Sequence, residues 1–363
     1  MEEERTVRAR RPIGSRAAAA AFVCALLLSL PACHHSHRTS TPPPPRLCWP
    51  PPPDPPRIEY LDSFATPREL GIRSNWFVRA VRRLVLGRAV YGMARPYSVA
   101  AGADGLILVT DPDSRSVHLF EPARSRYRRL KEAAGRPLVS PVGVATDGAG
   151  RIYVSDSVRG GVFRFDADGR WIDTVVPEGS LQRPTGLAFD RARGRLYVVD
   201  TMAHRVLGYG SDGKLELEVG RRGAGPAEFN FPVSVAVDAS SRIYIADSMN
   251  FRVQVLDADG RWLRSFGRAG TTPGDFDKIK GIAIDSEGHI YVVDALHDVI
   301  QVFDPEGRLL TVVGGSGAGP GSFWLPSGIC IDANDRILLA DSANHRVQIL
   351  RYLAQAETRA AAR

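Results

Sequence analysis

Six copies of one short run of β-branched and small apolar residues recur along the chain, each ending in aspartate: Asp111, Asp156, Asp200, Asp247, Asp294 and Asp341. The intervals are 45, 44, 47, 47 and 47 residues. A period in this range marks a four-stranded unit that cannot bury both of its faces alone and must stack on neighbours. Six such units in succession predict an all-β fold, a six-bladed β-propeller over residues 96–353.

The fourth repeat shows how a blade is read. Ser234 to Asp238 is the inner strand, Arg242 to Asp247 the second, Arg252 to Asp257 the third and Arg261 to Phe266 the outer one. Their near-continuous apolar character fits strands covered on both faces. The turns Asp166-Ala167-Asp168-Gly169, Asp257-Ala258-Asp259-Gly260 and Asp304-Pro305-Glu306-Gly307 place glycine where a tight hairpin needs positive φ. The sixth repeat has a third strand at Arg346 to Leu350 and then a polar, Ala-rich tail, residues 354–363, which is expected to be disordered. Its missing outer strand is predicted at Arg57 to Phe64, which resembles Arg261 to Phe266, so that both chain ends lock the ring and no long edge stays bare.

The segments Ile243-Tyr244-Ile245-Ala246-Asp247-Ser248-Met249-Asn250-Phe251-Arg252-Val253-Gln254-Val255 and Leu339-Ala340-Asp341-Ser342-Ala343-Asn344-His345-Arg346-Val347-Gln348-Ile349 resemble NHL repeats. The inter-blade stretches Gly223 to Pro232 and Gly317 to Pro326 match as well, and blade one departs, with Pro112-Asp113-Ser114-Arg115-Ser116 in place of the usual loop. The resemblance covers about Pro96 to Leu353. It implies the propeller fold and leaves function open, because NHL propellers include RNA-binding modules, interaction scaffolds, extracellular sensors and a zinc lyase.

Residues 1–32 read as an export signal, with Arg5, Arg8, Arg10, Arg11 and Arg16 ahead of an apolar stretch from Ala17 to Leu30. That stretch is short for a membrane span. It ends in Leu30-Pro31-Ala32-Cys33, which resembles a bacterial lipobox and implies lipidation of Cys33; His34 after the cysteine resembles an outer-membrane sorting signal. Residues 33–56 are rich in His, Ser and Pro and predict an extended stalk, its proline stretch holding the ring about 50 Å from lipid at ~3.1 Å per residue. Residues 57–95 comprise the closing strand and a short amphipathic helix from Asn75. Trp76, Phe77, Ala80, Val81, Leu84 and Val85 lie on one helix face and Arg79, Arg82 and Arg83 on the other, as a cap on the ring. Cys48 and Cys330 have no spacing that argues for a bridge.

The chain is +7 overall, but residues 1–32 carry +2 and residues 33–95 carry +6, leaving 32 basic and 33 acidic groups beyond. A ring that tracks phosphates should itself be basic, so no nucleic-acid partner is expected. No H-E-x-x-H, C-x-x-C, G-x-S-x-G or Walker pattern occurs, and the Asp166 turn lacks the glutamate that a calcium loop needs at its twelfth position, Pro177.

His204, His297 and His345 follow strand-ending aspartates by three or four residues and are weak candidates for a metal. Asp294-Ala295-Leu296-His297 resembles one zinc-histidine segment of peptidyl α-hydroxyglycine α-amidating lyase. Ring geometry separates blades three and six, and the expectation is structural histidines, no catalytic residue and no cofactor. Arg205, Arg252 and Arg346 follow such aspartates at a fixed offset, which predicts repeated loop-fixing ion pairs. The loops so held predict a recognition rim of Arg205, Phe231, Asn250, Arg252, His297, Trp324, Asn344 and His345. The functional expectation is a lipid-anchored NHL propeller of the cell envelope that binds a protein, peptide or glycan partner and meets the membrane through its anchor. The alternative is a metal-dependent enzyme, zinc lyase-like or calcium lactonase-like.

Overall fold

Each strand-ending aspartate closes the second strand of a four-stranded antiparallel sheet. The computed structural model describes residues 46–51, 53–55, 57–72 and 92–353, and the statements below concern those residues. Blade four runs through Pro232–Val237, Ile243–Asp247, Arg252–Leu256 and Trp262–Phe266, paired in that order. Its inner strand lies slightly ahead of the span expected from sequence. Asp238 is spent on the turn instead, its carboxylate accepting from the N–H groups of Ser240 and Arg242 at 2.9 Å each.

Continuous apolar runs arise because alternate residues of one strand serve different neighbours. Ile243 and Ile245 pack toward blade three with Tyr197 and Val199, whereas Tyr244 and Ala246 pack toward blade five with Ile290 and Val292. Six hydrophobic clusters result, one for each contact between successive blades, including the contact of blade six with blade one. Near the axis the inner strands approach so closely that only glycine fits at several points. A Cβ on Gly186 would stand 2.7 Å from the Ser234 Cα, and one on Gly328 would stand 2.6 Å from the Ser98 Cα.

Closure occurs as the sequence predicts. Ile58–Phe64 pairs antiparallel with Arg346–Tyr352, from Ile58 opposite Tyr352 to Phe64 opposite Val347, with a bulge between Tyr60 and Asp62. Ile58 and Phe64 point into the two clusters that flank blade six. The seam with blade one is sewn by the Gly328 N–H donating to the Tyr97 carbonyl at 2.7 Å and the Ser342 hydroxyl donating to the Pro96 carbonyl at 2.6 Å.

The stalk expectation is modified, and the export signal of residues 1–32, Cys33, the Asn75 helix and the tail lie outside the described residues. The stretch 33–56 is not free spacer along its whole length: Cys48–Trp49 forms a fifth strand on blade six, opposite Glu59 and Ile58, and Trp49 packs against the cluster between blades five and six. The Trp49 ring has apolar surface to bury there, which a solvated stalk would leave exposed. Cys48 and Cys330 are both free thiols. The Asn75 to Val85 helix and the tail 354–363 lie outside the described residues, although Ile72 and Met93 are both buried beside Phe64. No helix among the described residues is long and apolar enough to cross a membrane.

Truncation of the closing strand tests this account. Phe64→Ala is expected to cost about 3–5 kcal/mol in a denaturant titration, the usual range for a fully buried phenylalanine, while Leu61→Ala, 40% exposed on the same strand, should cost under about 0.5 kcal/mol. Deleting residues 57–64 should abolish cooperative unfolding, and an unchanged melting temperature would refute the closure.

Candidate binding face around the axial mouth

The loops between second and third strands, and those that enter each inner strand, share one face of the ring by topology. One device organises both. Each strand-ending aspartate is fully buried and accepts hydrogen bonds from the loop that enters its own blade's inner strand. Asp156 takes the N–H groups of Val139 and Ser140 at 2.7 and 3.1 Å, and Asp294 takes those of Asp277 and Lys278 at 2.8 and 2.9 Å. In blades four and six only one of these two donors stays in the blade. The Phe231 N–H donates to His204 Nδ1 of blade three at 3.0 Å, and the Leu325 N–H to Asp298 of blade five at 2.7 Å. Charge-assisted bonds of this kind are the strong ones, and burial makes their loss expensive.

The same aspartates receive the ion pairs predicted from the arginine offsets. Arg252 Nε meets Asp247 at 2.9 Å and Arg346 Nε meets Asp341 at 2.8 Å, whereas Arg205 is looser, 3.3 Å from Asp200, because it is shared with Glu218 at 2.9 Å. Asn250 and Asn344 donate to the Gly223 and Gly317 carbonyls at 2.8 Å and to the same aspartates. Gln254, Gln301 and Gln348 latch the glycine-rich inter-blade loops through the carbonyls of Glu228, Asp275 and Ser322. Of the predicted rim, Arg205, Phe231, Asn250, Arg252, His297, Asn344 and His345 therefore engage their own loops or an adjacent blade, His345 while remaining exposed, and Trp324 presents a side chain 56% exposed.

The three histidines do not converge. His204 and His345 stand four residues after their aspartates, in the left-handed conformation with φ of 56° and 57°, and each reaches the following blade: His204 accepts from Phe231, and His345 donates to the Ala94 carbonyl at 2.5 Å. His297 stands one residue earlier, in the place of Asn250 and Asn344, and bonds Asp294 at 2.9 Å. No group of three His, Cys, Asp or Glu side chains able to hold a metal is found among the described residues. The donor set at this face thus does not fit the zinc of a lyase or the calcium of a lactonase.

Blade one is the exception that its sequence announced. Where blades four to six have glutamine seven residues after the aspartate, it has His118, fully buried, with Nε2 3.3 Å from Asp111 and Nδ1 2.9 Å from the Tyr127 hydroxyl. Burial holds His118 below the usual imidazole range against the pull of Asp111. Burial alone would raise Asp111, but hydrogen bonds from His118, the Ala94 N–H and Ser114 outweigh it and hold the carboxyl below its ordinary value. The pair is accordingly a carboxylate accepting from a neutral imidazole.

Sequence reasoning missed what this face turns outward. Val158, Met202, Met249 and Leu296 each stand two residues after a strand-ending aspartate and are 68%, 44%, 40% and 55% exposed. Arg95, Arg183 and Lys278 stand in the loops that enter the inner strands of blades one, three and five, and Lys280 lies within the last of these strands, its Nζ 5.7 Å from the Tyr97 ring centroid. The fixed offset from the aspartates was the available signal.

The SMP-30/Gluconolactonase/LRE-like region matches residues 87–273, over half of the chain. The chain belongs to the SMP-30/gluconolactonase/LRE-like family. Within this propeller, the NHL repeat matches residues 323–350. Similar solved structures include a streptogramin B lyase at 11% identity, with TM-score 0.55 over 72% of this chain and 94% of that one. A catalytically inactive virginiamycin B lyase from Staphylococcus aureus with quinupristin is similar at 13% identity, with TM-score 0.54 over 71% and 95%. A gluconolactonase from Xanthomonas campestris is similar at 17% identity, with TM-score 0.56 over 72% and 87%. At these identities the likeness carries the fold and not the chemistry. No curated protein matches this member of the family in sequence.

Stability against pH should report the blade-one pair. A histidine held below its unfolded value contributes stability that is present above about pH 6.5 and is lost as pH falls through the folded pKa. Asp111, held low as well, loses its contribution at still lower pH, whereas His289, raised by Asp285, contributes below the unfolded value and loses it as pH rises. His118→Gln, the residue at the equivalent position of blades four to six, should therefore show a shallower decline in unfolding free energy from pH 7 to pH 5 than wild type. Equal slopes would contradict the neutral assignment.

Proposed function

We propose that this family member is a binding propeller of the cell envelope, exported by its leader, anchored through lipid on Cys33, and engaging a protein, peptide or glycan partner at the axial mouth. The observation that carries the reading is the division of labour on that face: polar side chains of the loops, Arg252, Asn250, His204 and Asp298 among them, are committed to holding the loops, while exposed apolar side chains and unpaired cations are turned outward. A rigid scaffold with an exposed apolar rim is what a recognition surface needs, since little ordering entropy is left to lose on binding.

The sequence supports the location. The basic head, apolar stretch and lipobox-like Leu30-Pro31-Ala32-Cys33 stand ahead of a proline-rich tether, which joins the ring at the outer edge of blade six through Cys48–Trp49. Family membership favours a competing reading, a metal-dependent lyase or lactonase, and the donor set disfavours it. With no group of three metal-ligating side chains among the described residues, and with the His118–Asp111 and His297–Asp294 pairs each held within a single blade, binding is the function the geometry supports best.

Metabolic labelling with an alkyne fatty acid should mark the wild-type chain and leave Cys33→Ala unmarked and released from the membrane fraction. Purified wild type should hold far less than one equivalent of zinc or calcium by elemental analysis. An unlabelled wild type would sink the anchor, and one full equivalent of either metal would favour the enzyme.

A further inference from the structure

We propose that the axial mouth binds an acidic polypeptide segment, whose carboxylates meet Arg95, Arg183 and Lys278 while its apolar side chains rest on the surrounding rim. This deepens the reading of the ring as a binding propeller, on which it rests, by naming the chemistry of the partner.

The cations are placed rather than scattered. The loop residue 16 or 17 positions before the strand-ending aspartate is basic in blades one, three and five, as Arg95, Arg183 and Lys278, and neutral in blades two, four and six, as Ser140, Phe231 and Leu325. Each basic residue has its own N–H held by a strand-ending aspartate, at 3.1, 2.9 and 2.9 Å, so its backbone is fixed while its side chain is free to face a ligand. None of the three has a carboxylate partner among the described residues, in contrast to Arg252 and Arg346. Lys280, also without an ion pair, adds a fourth charge deeper in, over Tyr97. The acidic groups of the same loops, Asp113 and Asp277, form no ion pair with these cations. Because residues 96–363 carry 32 basic and 33 acidic groups, the positive mouth is a local concentration and not the reflection of a basic ring.

The rim adds an apolar requirement. Val158, Met202, Met249 and Leu296 occupy one register in four successive blades, and Trp324 and Leu325, 56% and 42% exposed, add apolar surface from the loop that enters blade six's inner strand. Lys278 Nζ lies 3.4 Å from the Met249 sulfur, so the charged and apolar parts belong to one surface. A sugar presents C–H faces that stack flat on aromatic rings, and this rim offers one tryptophan; single-stranded nucleic acid needs successive aromatic platforms. Exposed thioethers and aliphatic side chains instead accommodate apolar peptide side chains of varied shape. Carboxylates at the centre and apolar side chains around them describe an acidic peptide, with charge complementarity setting the orientation.

The test uses the full chain in neutral-lipid nanodiscs and a fluorescein-tagged peptide of alternating Glu and Leu, read by anisotropy against empty nanodiscs. Saturable binding is expected, at least about tenfold weaker for the Gln-and-Leu peptide and about thirtyfold weaker for the triple variant Arg95→Glu, Arg183→Glu, Lys278→Glu. Met249→Ser with Leu296→Ser should weaken it about fivefold. Should the triple variant lose its melting transition, Lys278→Gln and a salt series carry the test, with affinity falling about tenfold between 50 and 300 mM salt. Equal binding of the Gln peptide, an unaffected variant, or tighter binding of oligogalacturonate than of the acidic peptide would overturn the proposal. If wild type captures a specific envelope partner that the Glu-and-Leu peptide does not displace, this inference fails and the binding reading stands. If it captures none and binds no peptide, both fail.

Discussion

Every blade of this molecule has two apolar faces, and the need to cover both is the constraint from which the rest of the structure follows. Along Ile243-Tyr244-Ile245-Ala246 successive side chains serve opposite neighbours, so no blade can be removed without exposing the faces of two others. An open stack would leave two such faces in water; a ring leaves none. The sixth blade lacks a fourth strand in sequence order, and Ile58–Phe64 supplies it from the other end of the chain, placing Phe64 in the cluster that joins blades six and one. Cys48–Trp49 then covers part of the edge that this strand would otherwise present.

The buried aspartates translate that closure into a surface. A carboxylate with no exposure must be fully satisfied, and each one here is satisfied by amides of the loop entering its own blade. The loops that surround the axis are thereby held from below by charge-assisted bonds, and blades are stapled to successors through His204, Asp298 and His345. Many polar side chains are consumed by this task, and the outward residues at the mouth include apolar side chains and cations without an ion pair among the described residues.

Much of this was legible in the residues because it repeats. The period of the aspartates named the fold and the blade count, the likeness of Arg57 to Phe64 to an outer strand named the closure, and the constant offset of Arg252 and Arg346 named their ion pairs. The histidines show where such reading stops. His297 looks equivalent to His204 and His345 within a residue, yet that single step moves it from a left-handed position that reaches the next blade to the asparagine position that bonds its own aspartate. The outward residues were missed for a different reason. Hydrophobic residues at fixed offsets read as core, and only the three-dimensional loop shows that Met202 and Met249 point to solvent while Asn250 points inward. Trp49 was hidden by its proline-rich surroundings, whose composition argues for a spacer although one ring had a cluster to fill.

Membership in the SMP-30/gluconolactonase/LRE-like family fixes the architecture and leaves the chemistry to the site, where this chain's residues hold loops and present a cationic, apolar mouth. The central claim, a ring sealed by a strand from the front of the chain, is most directly tested by hydrogen exchange of the amides in Ile58–Phe64. The account predicts protection equal to that of Arg346–Tyr352, with exchange only through global unfolding. Rapid exchange of Ile58–Phe64 while Arg346–Tyr352 stays protected would contradict it.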